Sequence, residues 1–173
     1  MGRTTTGYYL RKLVDEDHDV IAYSGGVQPL IIMRYAEVLL NKAEACYHLD
    51  QSADANAAVK KIRERVDLPY TDKGGSALWD AIRQERKVEL AFEGLWYWDL
   101  RRWGVAHKQY PEGLTGYQQH GLKIENNGDG TFTYTYVSVD DQDRNFPKKM
   151  YRFPMPSGEL NNNALVEQYP EWK

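Results

Sequence analysis

Acidic side chains that could do chemistry recur at a regular spacing in the middle of the chain. Glu85, Glu89 and Glu93 are four residues apart, so a helix would place their carboxylates along one side. Two carboxylates that flank a cleft about 5 to 10 Å apart can hydrolyse a glycosidic bond. The spacing of these glutamates could supply such a pair, so glycan hydrolysis is one chemistry that the pattern allows.

Basic residues around these glutamates favour a different role. They are Arg83, Arg86, Lys87, Arg101 and Arg102. An arginine beside a carboxylate lowers the pKa of the carboxylate, whereas a general acid needs a raised pKa. Structural ion pairs produce the same pattern of charges without catalysis. We therefore predict a partly buried structural ion network of Glu85, Glu89, Arg101 and Arg102, and no enzymatic activity.

The sequence predicts no metal site and no cofactor. Residues 125–130, Glu-Asn-Asn-Gly-Asp-Gly, resemble the start of an EF-hand calcium loop. The twelfth position of that loop would be Tyr136 instead of Glu, and the flanking residues alternate as in strands, so we expect a hairpin turn. The histidines at positions 18, 48, 107 and 120 lack the close spacing of zinc ligands.

The chain contains one cysteine, so no internal disulfide can form. Cys46 falls on the apolar face of a predicted helix, where a free cysteine behaves as a small hydrophobic residue. A catalytic thiol would need a nearby histidine in an electropositive setting. His48 is two residues away and points elsewhere on a helix, so we predict that Cys46 has no catalytic role.

Aromatic residues are the candidates for ligand contacts. Thirteen tyrosines and five tryptophans could stack on sugar rings, although such residues also pack cores. We predict that most tryptophans of the segment 96–103 are core residues. Tyr110 and Tyr117 lie in a glycine-containing loop, from which side chains can reach a ligand. Tyr97 could point away from its tryptophan neighbours, so these three tyrosines are the candidate ligand-binding residues.

Composition is that of an ordinary globular chain. The 173 residues are 42% hydrophobic, which suits one domain over 1–173. The formal net charge of -3 provides no broad basic field, so nucleic acid is not an expected partner. No stretch reaches the length that spans a membrane, and no secretory signal follows Met1.

The periodicity of apolar residues predicts a mainly α fold. Helices are expected over 31–49 and 53–66, and this pair resembles one tetratricopeptide unit. Two more helices are expected over 76–104, with Ser76 as N-cap and a joint near Gly94. The apolar face of this stretch comprises Leu78, Ala81, Ile82, Val88, Ala91, Phe92 and Leu95. Alternation predicts a small β-hairpin over 122–137 and a short strand over 7–14, with long loops elsewhere.

Three segments resemble the SusD/RagB family of outer-membrane nutrient-binding lipoproteins. They are "IIMRYAEVLLNKAEACYHL" at 31–49, "AIRQERKVELAFEGLWYWDLRRWG" at 81–104 and "YRFPMPSGELNNNALVEQYPEW" at 151–172. Together they cover more than a third of the chain, in the order that the family shows. In that family the segments lie in the C-terminal region of a much longer protein. We therefore expect a fragment of a longer chain.

The resemblance implies a non-enzymatic protein that binds glycans or other nutrients at the bacterial cell surface. It implies delivery of the ligand to a SusC-like TonB-dependent transporter, as part of polysaccharide utilization. Membrane contact would occur only through a lipid anchor, and the signal for that anchor is absent from this chain. The main glycan-contacting residues of the family lie upstream of these segments, so none is carried over. The alternative is a free-standing, helical repeat-like scaffold for protein–protein interaction.

Overall fold

The structure is a computed structural model that describes residues 4, 6–17, 31–111, 120–139 and 144–173. The backbone divides into two compact units. One comprises Lys12–Trp98 and is called the helical unit here. The other combines Met1–Arg11 with Asp99–Lys173 and is called the mixed unit. The prediction of one domain over 1–173 stays a prediction.

The helical unit is built on three helices. They are α1, Tyr35–His48, α2, Ser52–Glu64, and α3, Gly75–Glu89. Helix α1 packs against both α2 and α3, and residues 49–51 join it to α2. A fourth helix, α4, runs over Trp96–Arg102, and its residues from Asp99 onwards belong to the mixed unit. The predicted mainly α fold, with a tetratricopeptide-like helical hairpin, is confirmed.

The core of the helical unit comes from the apolar residues that carry the helical period. Leu40, Val59, Ile62, Leu78 and Ile82 are the largest fully buried side chains. Small residues lie between α1 and α2 and let the two backbones approach each other; they are Ala43, Ala55 and Ala58. Burial of each large aliphatic side chain contributes roughly 1.5–3 kcal/mol, so this seam holds the helices together.

Two residues of the predicted apolar face of α3 are exposed, each for a different reason. The helix ends at Glu89, and Phe92 adopts a left-handed backbone with φ +65°, which leaves its side chain 74% exposed. Val88 lies within α3 and is 61% exposed. It follows the buried Ile82 by six residues, and because a helix has 3.6 residues per turn, this spacing places Val88 on a different face. The expected burial of Val88 and Phe92 is thus wrong.

The helix starts also differ from the sequence analysis. Helix α1 begins at Tyr35 instead of residue 31, and Ile32, before the helix, is 89% exposed. Ser76 is not the N-cap of α3, because the cap position is Gly74 and Ser76 already lies within the helix. The joint between α3 and α4 is confirmed and includes Gly94 with φ +77°, a conformation that glycine adopts without a Cβ clash.

The mixed unit contains a β-hairpin and short helices. Strand β1, His120–Asn126, pairs antiparallel with β2, Phe132–Ser138, as predicted for this region. Helix α5 is Ala106–Gln109 and α6 is Ser157–Asn162. Two 3₁₀ helices lie at Lys148–Tyr151 and Pro170–Trp172.

The short strand predicted over residues 7–14 is wrong. Gly7 has φ +76°, which turns the backbone out of the extended conformation. The neighbouring Thr6 carbonyl accepts a hydrogen bond of 2.8 Å from the Leu122 amide at the edge of β1. A Cβ on Gly7 would lie 2.0 Å from the Leu122 carbonyl oxygen, so this close approach requires glycine.

Candidate functional site

Two of the three regularly spaced glutamates share one arginine in the helical unit. Arg34 Nη1 lies 2.6 Å from Glu89 Oε1, and Arg34 Nε and Nη2 donate to the two oxygens of Glu93 at 2.8 and 2.7 Å. Lys12 Nζ lies 2.5 Å from Glu93 Oε1, and Arg65 Nη2 lies 2.9 Å from Glu89 Oε1. We call these five side chains the Arg34 cluster. Arg34 thus binds Glu93 in a bidentate manner, and charge-assisted bidentate pairs are among the strong hydrogen bonds of proteins.

The Arg34 cluster also caps the end of α3. Lys12 Nζ donates to the carbonyls of Glu89 and Ala91 at 2.8 and 2.9 Å, and Arg34 Nη2 donates to the Glu89 carbonyl. The last carbonyls of a helix lack partners within the helix and attract cations. The cluster therefore provides a structural reason for the end of α3.

The charges of this cluster are unfavourable for acid catalysis. The hydrogen bond from Arg34 lowers the pKa of Glu93 against the opposing effect of burial, and Lys12 lowers it further. The hydrogen bond to Glu93 in turn raises the pKa of Arg34. A general acid near neutral pH needs a raised carboxyl pKa, so Glu93 is suited to ion pairing and unsuited to proton donation.

Glu85 belongs to a separate contact on the same helix. Its Oε2 lies 2.8 Å from Arg63 Nη1, and Arg63 Nε donates to the Pro69 carbonyl at 3.1 Å. These residues line a cavity of about 380 Å³, together with Tyr70. Burial, followed by the charge of Asp72, raises the pKa of Tyr70, whose hydroxyl donates to Asn56 at 2.8 Å.

The two predicted network arginines have contacts within the mixed unit. Arg101 donates to the carbonyls of Met150 and Tyr151, and its guanidinium lies 4.7 Å from the ring centre of Phe153. Arg102 Nε lies 2.8 Å from Oδ1 of Asp99, a buried carboxylate. Each of the four predicted members thus has a partner that the sequence analysis did not single out. A single network of Glu85, Glu89, Arg101 and Arg102 stays a prediction.

The aromatic residues of α4 are less buried than core residues. Tyr97 and Trp98 are 41% and 55% exposed, and their ring centres lie 5.1 Å apart in an edge-to-face arrangement. Trp96 of α4 and Trp103, which directly follows the helix, are half-buried. Their indole rings are covered by Lys87 Nζ at 5.2 Å and by the Arg102 guanidinium at 4.7 Å, respectively. Tyr97 therefore presents an accessible ring.

Of the other two candidate tyrosines, the structure describes Tyr110 only. Tyr110 is half-buried, and its carbonyl accepts a hydrogen bond of 2.7 Å from the Phe146 amide. Tyr117 lies outside the described residues. Ligand contacts by Tyr97, Tyr110 and Tyr117 stay predictions.

The glycine-rich segment 125–130 forms a hairpin turn, as predicted. Asp129 Oδ1 accepts hydrogen bonds from the amide and the hydroxyl of Thr131 at 2.9 and 2.6 Å. The hydroxyl bond lowers the pKa of Asp129. Asn126 Oδ1 accepts from the Gly128 amide at 2.9 Å, so oxygens that calcium would need hold the turn together. Within residues 4, 6–17, 31–111, 120–139 and 144–173, no group of three His, Cys, Asp or Glu side chains could hold a metal ion.

The sequence of the whole chain identifies its family. The model of the SusD family matches residues 1–172. The chain belongs to the SusD family. A SusD-like protein of Formosa agariphila is 40% identical over 87 residues, which is 44% of this chain and 17% of that protein. A second SusD-like protein of the same organism is 38% identical over 95 residues, 49% of this chain and 19% of the relative.

The fold agrees with a solved SusD-like structure. The crystal structure of a SusD-like protein from Bacteroides fragilis superposes with a TM-score of 0.67 at 31% identity. The match covers 82% of this chain and 25% of that chain. The chain therefore spans about a quarter of the solved relative and less than a fifth of the two curated relatives.

SusD-like proteins are known for glycan binding at the cell surface and are generally binding proteins instead of enzymes. The family is associated with the outer membrane and generally pairs with SusC transporters. In the part of the chain that the structure describes, no helix combines the length and apolar character needed to cross a membrane.

Sequence reasoning missed two cations of the Arg34 cluster, Arg34 and Lys12. Arg34 did carry a signal, because it follows three apolar residues directly at the start of an amphipathic helix. Lys12 carried none, because its partners lie 77 and 79 residues further along the chain. Partners at such separations leave no local pattern.

Proposed function

We propose that this chain is the C-terminal region of a surface-exposed, lipid-anchored SusD-like protein of the outer membrane. The protein binds oligosaccharides or other nutrients, makes and breaks no bonds in them, and delivers them to a SusC-like TonB-dependent transporter. The observation that carries the proposal is the SusD family match over residues 1–172. The lowered pKa of Glu93 supports binding over hydrolysis, because it disfavours an acid at this position.

Binding is expected to use aromatic stacking and hydrogen bonds to sugar hydroxyls. Aromatic rings offer a large apolar surface with a fixed geometry, and the apolar faces of sugar rings pack on it. Tyr97 is the best placed of the three candidate tyrosines, since its exposed ring neighbours the exposed ring of Trp98. Tyr110 and Tyr117 remain further candidates.

The test uses the full-length protein and isothermal titration calorimetry with oligosaccharides. We expect Tyr97→Ala to raise the Kd of a bound glycan about two- to tenfold, because one stacking contact is lost. Tyr35→Ala is the matched control, since Tyr35 is also an exposed tyrosine of the helical unit, at 66% exposure. Equal affinity for wild type and Tyr97→Ala would remove Tyr97 from the site.

The transport role needs a separate measurement. Purification of the tagged full-length protein from outer membranes should recover a TonB-dependent transporter. Recovery of a different protein partner, together with no affinity for oligosaccharides, would instead favour the scaffold alternative.

A further inference from the structure

We infer that one face of the β-hairpin binds an uncharged oligosaccharide on a row of three aromatic side chains. The row consists of Phe132, Tyr134 and Tyr136 on β2 and is called the aromatic row. The inference rests on the proposed function, because it assigns a binding surface and a ligand class to a glycan-binding protein.

The geometry of β2 makes the aromatic row straight and regular. Alternate residues of a strand point to the same face, so the three rings are spaced by roughly 7 Å. A row of this kind can contact more than one sugar of a single glycan chain, because each ring offers its own apolar surface. Phe132, Tyr134 and Tyr136 are 49%, 60% and 75% exposed. Contiguous exposed apolar surface of this kind commonly marks a binding site.

The charge of the face selects the ligand class. The strand register places Asn126, Ile124 and Leu122 opposite the three aromatic residues, so this part of the face carries no charged side chain. The charged residues of β1, Lys123 and Glu125, alternate with these and lie on the other face. There Lys123 Nζ and Glu125 Oε1 are 2.9 Å apart, so each neutralises the other. An uncharged glycan complements this face better than an acidic one.

The aromatic row also offers hydrogen-bond groups for sugar hydroxyls. Among the described residues, neither the Tyr134 nor the Tyr136 hydroxyl has a hydrogen-bond partner. A phenol hydroxyl both donates and accepts, as a sugar hydroxyl does. Rings with polar tips therefore match both the apolar faces and the polar edges of a sugar.

A cavity extends the surface beyond the aromatic row. Its volume is about 450 Å³. It is lined by Thr4, Gly7, Tyr9, Leu122, Lys123, Ile124 and Val137. Leu122 and Ile124 belong to the face of the aromatic row, whereas Lys123 and Val137 belong to the opposite face of the hairpin, so the cavity lies around the edge of the sheet. Tyr9 adds a ring that is 78% exposed. The combined surface accommodates several sugar units, which favours an oligosaccharide over a single sugar.

The experiment measures binding by the full-length protein to hexasaccharides of glucose, mannose, galactose and galacturonate. We expect Tyr134→Ala and Tyr136→Ala each to raise the Kd of a neutral hexasaccharide about two- to tenfold. Tyr136→Phe keeps the ring and should have a smaller effect. The matched control is Thr135→Ala, which changes the opposite face of the same strand and should leave the Kd unchanged. Melting temperatures are measured for every variant.

The outcomes separate this inference from the proposed function. If the wild type binds a neutral hexasaccharide and both alanine variants bind it equally well, the aromatic row is not the site, while the proposed function stands. A lower melting temperature of Tyr136→Ala with unchanged affinity would show that the rest of the protein covers the row. Binding of galacturonate hexasaccharide alone would overturn the uncharged ligand class. No binding of any hexasaccharide would overturn the proposed function and the row together.

Discussion

At the scale of single residues, Arg34 joins the segment before α1 to the end of α3. It is one guanidinium that bonds two carboxylates whose side chains are only 11% and 13% exposed, Glu89 and Glu93. Removal of one partner from a largely buried ion pair leaves a charge that is neither solvated nor compensated, and this costs more than the pair contributed. Loss of Arg34 is therefore expected to cost more stability than the ion pair itself contributes.

We expect Arg34→Ala to lower the free energy of unfolding by about 2–3 kcal/mol. Lys12 and Arg65 would then compensate only part of the negative charge of Glu89 and Glu93. Chemical denaturation measures this loss. Arg65→Ala is the control, since its side chain is 58% exposed and it contacts the same Glu89. Its loss should stay below about 1 kcal/mol. Equal losses for both variants would contradict the central role of Arg34.

The lowered pKa of Glu93 predicts a direction for the pH dependence of stability. The unfolded glutamate titrates near its ordinary pKa of about 4.3, while the folded one titrates lower. Between these values the unfolded state binds more protons, so stability is complete above about pH 5 and falls as the pH drops towards the folded pKa. Glu93→Gln should flatten this part of the profile of unfolding free energy against pH. Glu64→Gln, at an exposed position, should keep the slope.

At the scale of elements, the end of α3 shows what a local pattern can and cannot predict. The apolar period correctly predicts α1, α2, α3 and the hairpin, because each buries a face that its own sequence defines. It continues beyond Glu89, however, and so predicts burial of Phe92. At the helix end, Lys12 and Arg34 bind the carbonyl of Glu89 from distant positions, and Lys12 also binds the Ala91 carbonyl just beyond it. The fold class was thus predictable, whereas the partners of the glutamates were not.

The edge of β1 gives a prediction at the same scale. Gly121 lies so close to residue 6 that a Cβ would meet the Thr6 carbonyl oxygen at 2.6 Å and its Cα at 2.7 Å. We expect Gly121→Ala to push the two segments apart and cost about 1–3 kcal/mol, as overpacking does. Hydrogen exchange of the Leu122 amide, which bonds the Thr6 carbonyl, should become faster.

Gly158→Ala is the matched control for this change. A Cβ there would have no neighbour within 4 Å, so this substitution in α6 should be neutral or slightly stabilising. Unchanged exchange at Leu122 in Gly121→Ala would show that the N-terminal segment adapts without cost.

At the scale of the whole molecule, sequence motifs predicted the family, whereas the types of single residues did not predict the location of a binding surface. Three segments over 31–172 predicted the SusD family, and the match over residues 1–172 confirms it. The binding surface could not be predicted in the same way, because exposure depends on tertiary packing. Most tryptophans of the segment 96–103 were predicted to be core residues, but the ring of Trp98 is 55% exposed. The tyrosines of β2 were predicted only as strand residues. Family membership thus follows from local sequence, and the location of a ligand site requires the fold.

The long-range cap of α3 also has a consequence for the order of folding. Lys12 reaches carbonyls 77 and 79 residues away, whereas α1 and α2 are neighbours in sequence. Contacts between neighbours close short loops and form early, while contacts at long separation wait until the chain has collapsed. We therefore expect the Arg34 cluster to form late, after the helices that it joins. Interactions that form after the transition state slow unfolding and leave the folding rate unchanged, so loss of this cluster is expected to shorten the time for which the helical unit stays folded.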